Sequence, residues 1–128
     1  MERASLAARP PLEGDWSPEF GLRAAEWVRD QRDVTAVFTS NDQMALGLLR
    51  GLHLAGLRVP ADVSLVGFDD IPEAAFFSPP LTTIRPDFTE LGSQCVALLV
   101  DQLLGNEVDA GAPIVPALVV RESTAPRP

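Results

Sequence analysis

The chain has 128 residues, 46% of them apolar, with ten cationic side chains, no tyrosine and a net charge of −8. That is enough apolar material for a packed core, which excludes wholesale disorder, and no run of ~18 apolar residues exists to span a membrane. The acidic balance argues against direct contact with nucleic acid, whose binders draw most of their affinity from basic groups on phosphate.

All ten cations are arginines, so a P-loop and a Schiff-base lysine are excluded too. The single cysteine, Cys95, excludes an internal disulfide and argues against a thiolate metal site. Pro10, Pro11, Glu13 and Asp15 stand where the apolar core of an export signal would lie, so the expected location is the cytoplasm. No enzyme activity and no cofactor are expected.

Residues 1–15 read as irregular, because Pro10-Pro11 and Gly14 interrupt any long element. Ser17-Pro18-Glu19 is a helix start, with a capping hydroxyl, a proline at the first position and an acid in the first turn. Phe20, Ala24, Trp27 and Val28 follow at helical spacing, which predicts a helix over 18–31. Val34 to Phe38 predicts a strand. A second helix is expected over 42–55, with Met44, Leu48, Leu49 and Leu52 on apolar stripes and Gly56 as its stop. Val63 to Val66 predicts a second strand, closed by Gly67. Helix, strand, helix, strand in about 50 residues is the rhythm of a parallel sheet with helices on both faces.

Beyond Pro79-Pro80, Leu81 to Ile84 reads as extended. Asp87 or Thr89 can cap a helix running to about Leu104, where Gly105-Asn106 ends it. Pro113 to Val120 is expected to be a last strand. Cys95 is expected to be a small core residue of the late helix.

In open α/β sheets, ligands bind beyond the carboxyl ends of the strands. Two polar clusters lie there: Thr39-Ser40-Asn41-Asp42 after the first strand and Phe68-Asp69-Asp70 after the second. Asn41 offers a donor and an acceptor, and Asp69 offers two acceptors, which suits a polyhydroxylated ligand. Asn41 reads equally as a helix cap. Asp42, Asp69 and Asp70 could be taken for a hydrolase pair or a divalent-metal site, but adjacent acids in an extended loop point apart and no phosphate-cradling loop accompanies them. Trp16 is either a staple to the core or a flat face for a sugar ring. His53 lacks any triad pattern and reads as a helix-surface residue. Phe76-Phe77 sits in a loop where two aromatics cannot easily enter one core, which favours a subunit contact over local packing.

Three ordered motifs then carry a resemblance. Ser40-Asn41-Asp42-Gln43-Met44-Ala45-Leu46-Gly47, the stretch from Gly56-Leu57-Arg58-Val59-Pro60 through Val66-Gly67-Phe68-Asp69-Asp70, and Pro80-Leu81-Thr82-Thr83-Ile84 resemble the lactose/galactose repressor (LacI/GalR) family over about residues 13–124. Glu13 to Ser17 and Asp87-Phe88 are most similar to its lactose repressor branch. The resemblance implies the C-terminal subdomain of a fold like the type I periplasmic binding proteins, incomplete here. Residues 1–84 and 114–128 would form that subdomain, and 85–113 would be a crossover segment whose helix belongs to the other subdomain.

It further implies a sugar-type effector held by Asn41, Asp69, Trp16 and Phe88, and a dimer interface through Leu46, Phe76 and Phe77. DNA would be reached only through an N-terminal headpiece that this stretch does not include. The runner-up is the soluble binding component of a sugar transporter; a metal-dependent hydrolase or phosphotransferase using the aspartates is a third reading, and a ligand-free dimerisation remnant a fourth. The helix at about 88–104 carries Leu91, Val96, Leu98, Leu99, Leu103 and Leu104, so self-association through that face is expected.

Overall fold

The computed structural model describes residues 9–31, 33–107 and 111–126. Helix α1 spans Pro18–Asp30 and begins as expected: Ser17 Oγ accepts the Phe20 amide at 3.1 Å, and Pro18 occupies the first turn. Strand β1 is Ala36–Phe38. Helix α2 spans Asp42–Leu54 under an Asn41 cap. Strand β2 is Ser64–Phe68 and strand β3 is Thr82–Arg85, with a 3₁₀ turn at Pro72–Phe76 between them. Helix α3 spans Phe88–Leu104, and strand β4 is Ala117–Val119. The expected last strand is trimmed to three residues, because Pro113 and Pro116 donate no ladder hydrogen bonds.

The four strands form one sheet in the order β1-β2-β3-β4. β1 pairs parallel with β2, and β2 parallel with β3, placing Phe38 opposite Val66 and Phe68 opposite Ile84. The α/β fold stands, but the sheet is mixed, because β4 runs antiparallel to β3. The connection from β3 through α3 re-enters the sheet at the end where β3 finishes, with Ala117 opposite Arg85, so β4 runs back reversed.

The core lies between the sheet and the α1–α2 pair. Ala25 and Val28 of α1 meet Ala45, Leu48, Leu49 and Leu52 of α2, with Val63, Leu65, Ala74 and Leu81 beneath. The helices approach so closely that a Cβ at Gly47 would land on the Pro18 carbonyl. Two of our expectations are corrected here. The helices do not cover both faces of the sheet, since α3 has no buried residue. For the same reason Cys95 is exposed and is not a core residue.

The segment after β4 closes the body. Ser123 is fully buried. Its hydroxyl donates to the Leu65 carbonyl at 2.6 Å and accepts the Thr82 amide at 2.7 Å, joining β2 to β3 from below. The Leu65 amide donates to the Ser123 carbonyl, and the Glu122 amide to the Pro80 carbonyl. Among the described residues no helix is long and apolar enough to cross a membrane.

Candidate functional site

The carboxyl edge of β1 and β2 gathers the polar clusters expected there. The Thr39 amide donates to the Val66 carbonyl at 2.9 Å, so the loop after β1 leaves the sheet tight against β2. Asn41 follows and is 5% exposed. Its Oδ1 accepts the Met44 amide at 2.8 Å, which is the cap, and its Nδ2 donates to the Trp16 carbonyl at 3.0 Å. The side chain thus does two structural jobs, starting α2 and tying the loop before α1 to it. One N–H of the amide is left over for another partner.

Trp16 itself is in left-handed backbone, with φ 66°, and its side chain is 64% exposed. A residue of that size gains nothing locally from a positive φ. The conformation is held by the Asn41 bond on one side. On the other, Asp15 accepts the Ser17 amide and hydroxyl, which holds the Asp15 carboxyl below its usual range with help from Arg23. The result is a flat indole face presented to solvent above a shallow cleft of about 510 Å³ lined by Leu12, Glu13, Trp16, Ser40 and Met44. The staple reading of Trp16 therefore applies to its backbone, not to its ring.

Asp69 and Asp70 are consecutive non-glycine residues with φ 104° and φ 53°. Such conformations cost on the order of 1–3 kcal/mol each and persist only where neighbours over-determine them. Three pins do so. The Asp69 amide donates to the Ile84 carbonyl at 2.9 Å. The Asp70 carboxylate takes Arg85 on one oxygen and Arg121 on the other. The Ile71 amide donates to Asp42 Oδ2 at 2.9 Å.

The two acids are thereby given opposite characters. Burial pushes the Asp70 carboxyl up, but hydrogen bonds from Arg121 and Arg85 outweigh it and hold the group below the usual carboxylate range. Asp69 has no hydrogen-bond partner for its carboxylate among the described residues. Burial, and then the nearby charge of Asp42, push it up. Of Asp42, Asp69 and Asp70, it is the one whose carboxylate has no hydrogen-bond partner among the described residues.

The other expected positions separate. Phe88 is the first residue of α3 and is exposed. Leu46 points out of α2 and is 44% exposed, and Phe76 is 87% exposed, whereas Phe77 packs on the core cluster. The two aromatics resolve their conflict by facing opposite ways on the 3₁₀ turn. His53 is exposed on α2, as expected. Asp42 is wholly buried and bonded to Thr83 and Ile71, and no metal-binding cluster of acids, histidines or cysteine exists among the described residues.

Sequence reasoning missed Arg121, Arg85 and the buried Asp42. A larger cleft, about 690 Å³, lies at the opposite end of the sheet, walled by Val28, Ala36, Pro60 and Ser64. Its charged groups are already matched, Asp62 to Arg58 and Arg29 to Asp30.

A helix-flanked sheet with its open acid, indole and capping amide at the carboxyl edge has the form of one lobe of a ligand-clamping fold. The profile of the family described as "Periplasmic binding protein-like domain" matches residues 1–124, and the chain belongs to that family. Within it the chain stands among the LacI/GalR-type regulators. It is 39% identical over 130 residues to the HTH-type transcriptional repressor PurR of Haemophilus influenzae strain PittEE, covering 96% of this chain and 39% of the relative. The PurR of Proteus mirabilis is 37% identical and covers all of this chain.

Among solved structures, the lac repressor dimer bound to operator and the anti-inducer ONPF superposes with a TM-score of 0.77 at 40% identity, over 87% of this chain and 39% of that one. The complex of the transcriptional regulator CelR with cellobiose gives 0.76 at 37% identity, over 86% and 34%. The chain spans about 39% of the length of the curated relatives it matches. Those relatives are transcriptional repressors, not enzymes.

Proposed function

We propose that this chain is the effector-binding and dimerisation region of a LacI/GalR-type transcriptional regulator, working in the cytoplasm with a sugar as its effector. The observation that carries the reading is Asp69. Its carboxylate is unpartnered among the described residues, is held by a strained backbone, and follows β2 at the same carboxyl edge of the sheet from which the loop carrying Asn41 leaves β1. A fold does not leave an acid so placed for stability's sake; an acceptor with both oxygens open suits paired ligand hydroxyls.

In this reading Asp69 and Asn41 hold hydroxyls, Trp16 covers an apolar ring face, and Phe88 adds a second aromatic from the crossover. Residues 1–84 and 114–128 form one lobe, and 85–113 cross to the other. Effector binding would shift the population between two arrangements of the lobes, and a DNA-binding headpiece would read that shift. The related CelR structure contains cellobiose and a lac repressor structure contains ONPG, which supports a glycoside over other small molecules. Relatives that are repressors support regulation over transport. Leu46 and Phe76 offer the exposed apolar contacts for a second copy, with Phe77 bracing the turn from inside.

Isothermal calorimetry against a panel of neutral mono- and disaccharides tests the reading. Binding heat with at least one sugar, lost in Asp69→Asn and reduced in Trp16→Ala, is expected. No heat with any sugar in the wild-type chain would overturn the sensing role and leave a dimerisation region.

A further inference from the structure

Asp42 is the most deeply buried acid among the described residues, at 0% exposure, and neither a cap nor a surface charge. It sits at the first residue of α2, directly after Asn41. One oxygen, Oδ1, accepts the hydroxyl of Thr83 in β3 at 2.7 Å, and the other, Oδ2, accepts the Ile71 amide at 2.9 Å. Gly67 of β2 leaves the room that this carboxylate fills, since a Cβ there would strike Oδ1. One side chain therefore joins α2, β2, β3 and the strained turn that carries Asp69.

The turn needs that joint. Asp69 and Asp70 both have positive φ, and the chain returns to φ −58° only at Ile71. The Ile71 amide is the exit of the turn, and its bond to Asp42 fixes where the turn ends. Without it, the pins at Ile84 and at the two arginines hold the entry and middle but not the exit.

We propose that Asp42 is the positioning residue of the effector site: its carboxylate, gripping Thr83 and the Ile71 amide, fixes the turn that presents Asp69 to ligand. This rests on the reading of Asp69 as an effector contact. The charge of Asp42 adds a second consequence, because it faces Asp69 from α2 and opposes its ionisation. The other charges near the turn are paired among themselves, Asp70 with Arg85 of β3 and with Arg121 after β4.

Asparagine separates geometry from charge. In Asp42→Asn, Oδ1 can accept the Ile71 amide while Nδ2 donates to the Thr83 hydroxyl, which accepts as readily as it donates. Alanine removes both. The test is carried out on the full chain by NMR, following the Asp69 carboxyl through a pH titration and the Ile71 amide through hydrogen exchange. In Asp42→Asn the Ile71 amide stays protected and the Asp69 midpoint moves down. In Asp42→Ala the Ile71 amide loses its protection.

A protected Ile71 amide in folded Asp42→Ala overturns the proposal. Should Asp42→Ala not fold, Thr83→Val decides. It strips one donor from Asp42 and shifts the Asp69 and Ile71 amide resonances, which Thr83→Ser restores; unmoved resonances overturn the proposal. These readouts need no ligand, so a sugar panel that fails on the wild-type chain would sink the effector reading while leaving the joint between Asp42 and Asp69 measurable.

Discussion

Helices α2 and α3 are similar amphipathic elements with opposite fates. α2 has 13 residues, eight of them buried, with Leu48 and Leu52 essentially inaccessible. α3 has 17 residues, none buried, and presents Val96, Leu99, Val100, Leu103 and Leu104 at helical spacing to solvent. Both are well terminated, α2 by the Asn41 cap and α3 by the Asp87 cap and the left-handed Gly105. Local signals start and stop a helix equally well in the two places; only α2 has a partner to bury against. An apolar stripe specifies a need for burial, while the residues that meet the need lie elsewhere in sequence.

The contrast can be broken by truncating matched leucines. Leu52→Ala in the α2 core is expected to cost about 2–5 kcal/mol, through lost transfer energy and a cavity between α1 and the sheet. Leu103→Ala, at a position 76% exposed, should fall within about 0.5 kcal/mol of wild type. Urea unfolding of the two variants measures both. Equal losses would mean that α3 is buried in solution against another copy.

That possibility has its own measurement. The stripe on α3 is expected to hold copies of the chain together, so light scattering at tens of micromolar should give a mass above the monomer. Leu99→Glu should move it toward the monomer without unfolding the body. A monomeric wild-type chain under those conditions would end this expectation and leave α3 solvated.

How far the sequence is legible follows the same divide. The caps at Ser17 and Asn41, the stripes of α2 and the strands at 36–38 and 64–68 depend on neighbours within a few residues, and each was readable. The carboxyl-edge placement of Asn41 and Asp69 was readable too, because it follows from strand direction alone. The ion pairs of Asp70 were not, since Arg85 is 15 residues away and Arg121 is 51. Nor was Asp42, because an acid in the first turn of a helix normally favours the dipole from solvent. Its burial is set by Gly67 and Thr83, which share no local pattern with it.

The Asp70 cluster ties together the strands that lead out to α3 and back, so it is where the buried and bare regions meet. Removing its charge by Asp70→Asn should cost about 1.5–3 kcal/mol at neutral pH, the range for hydrogen bonds to a charged group. The sign with pH follows from the lowered folded-state value: the stabilisation is present above the unfolded-state value, about 3.9, and is lost as pH falls through the folded one. Chemical denaturation should therefore show wild type and variant converging in acid. A gap that persists there would assign the loss to packing.

Asp69 gives the smallest change, and in the opposite direction. Its folded-state value is raised, so the ionised group subtracts stability at neutral pH, and that penalty fades as pH falls through the raised value. Asp69→Asn removes the penalty, and its melting temperature should exceed that of wild type at about pH 7 and approach it in acid. Asparagine also accepts left-handed backbone well, which adds a gain at every pH; only the part that varies with pH measures the electrostatic cost of the acid. A variant that gains stability near neutrality while losing sugar binding would show that the acid is held in place at the expense of stability, as binding sites commonly are. A variant less stable than wild type near neutrality would instead give Asp69 a structural partner and remove the reason for reading it as an open acceptor.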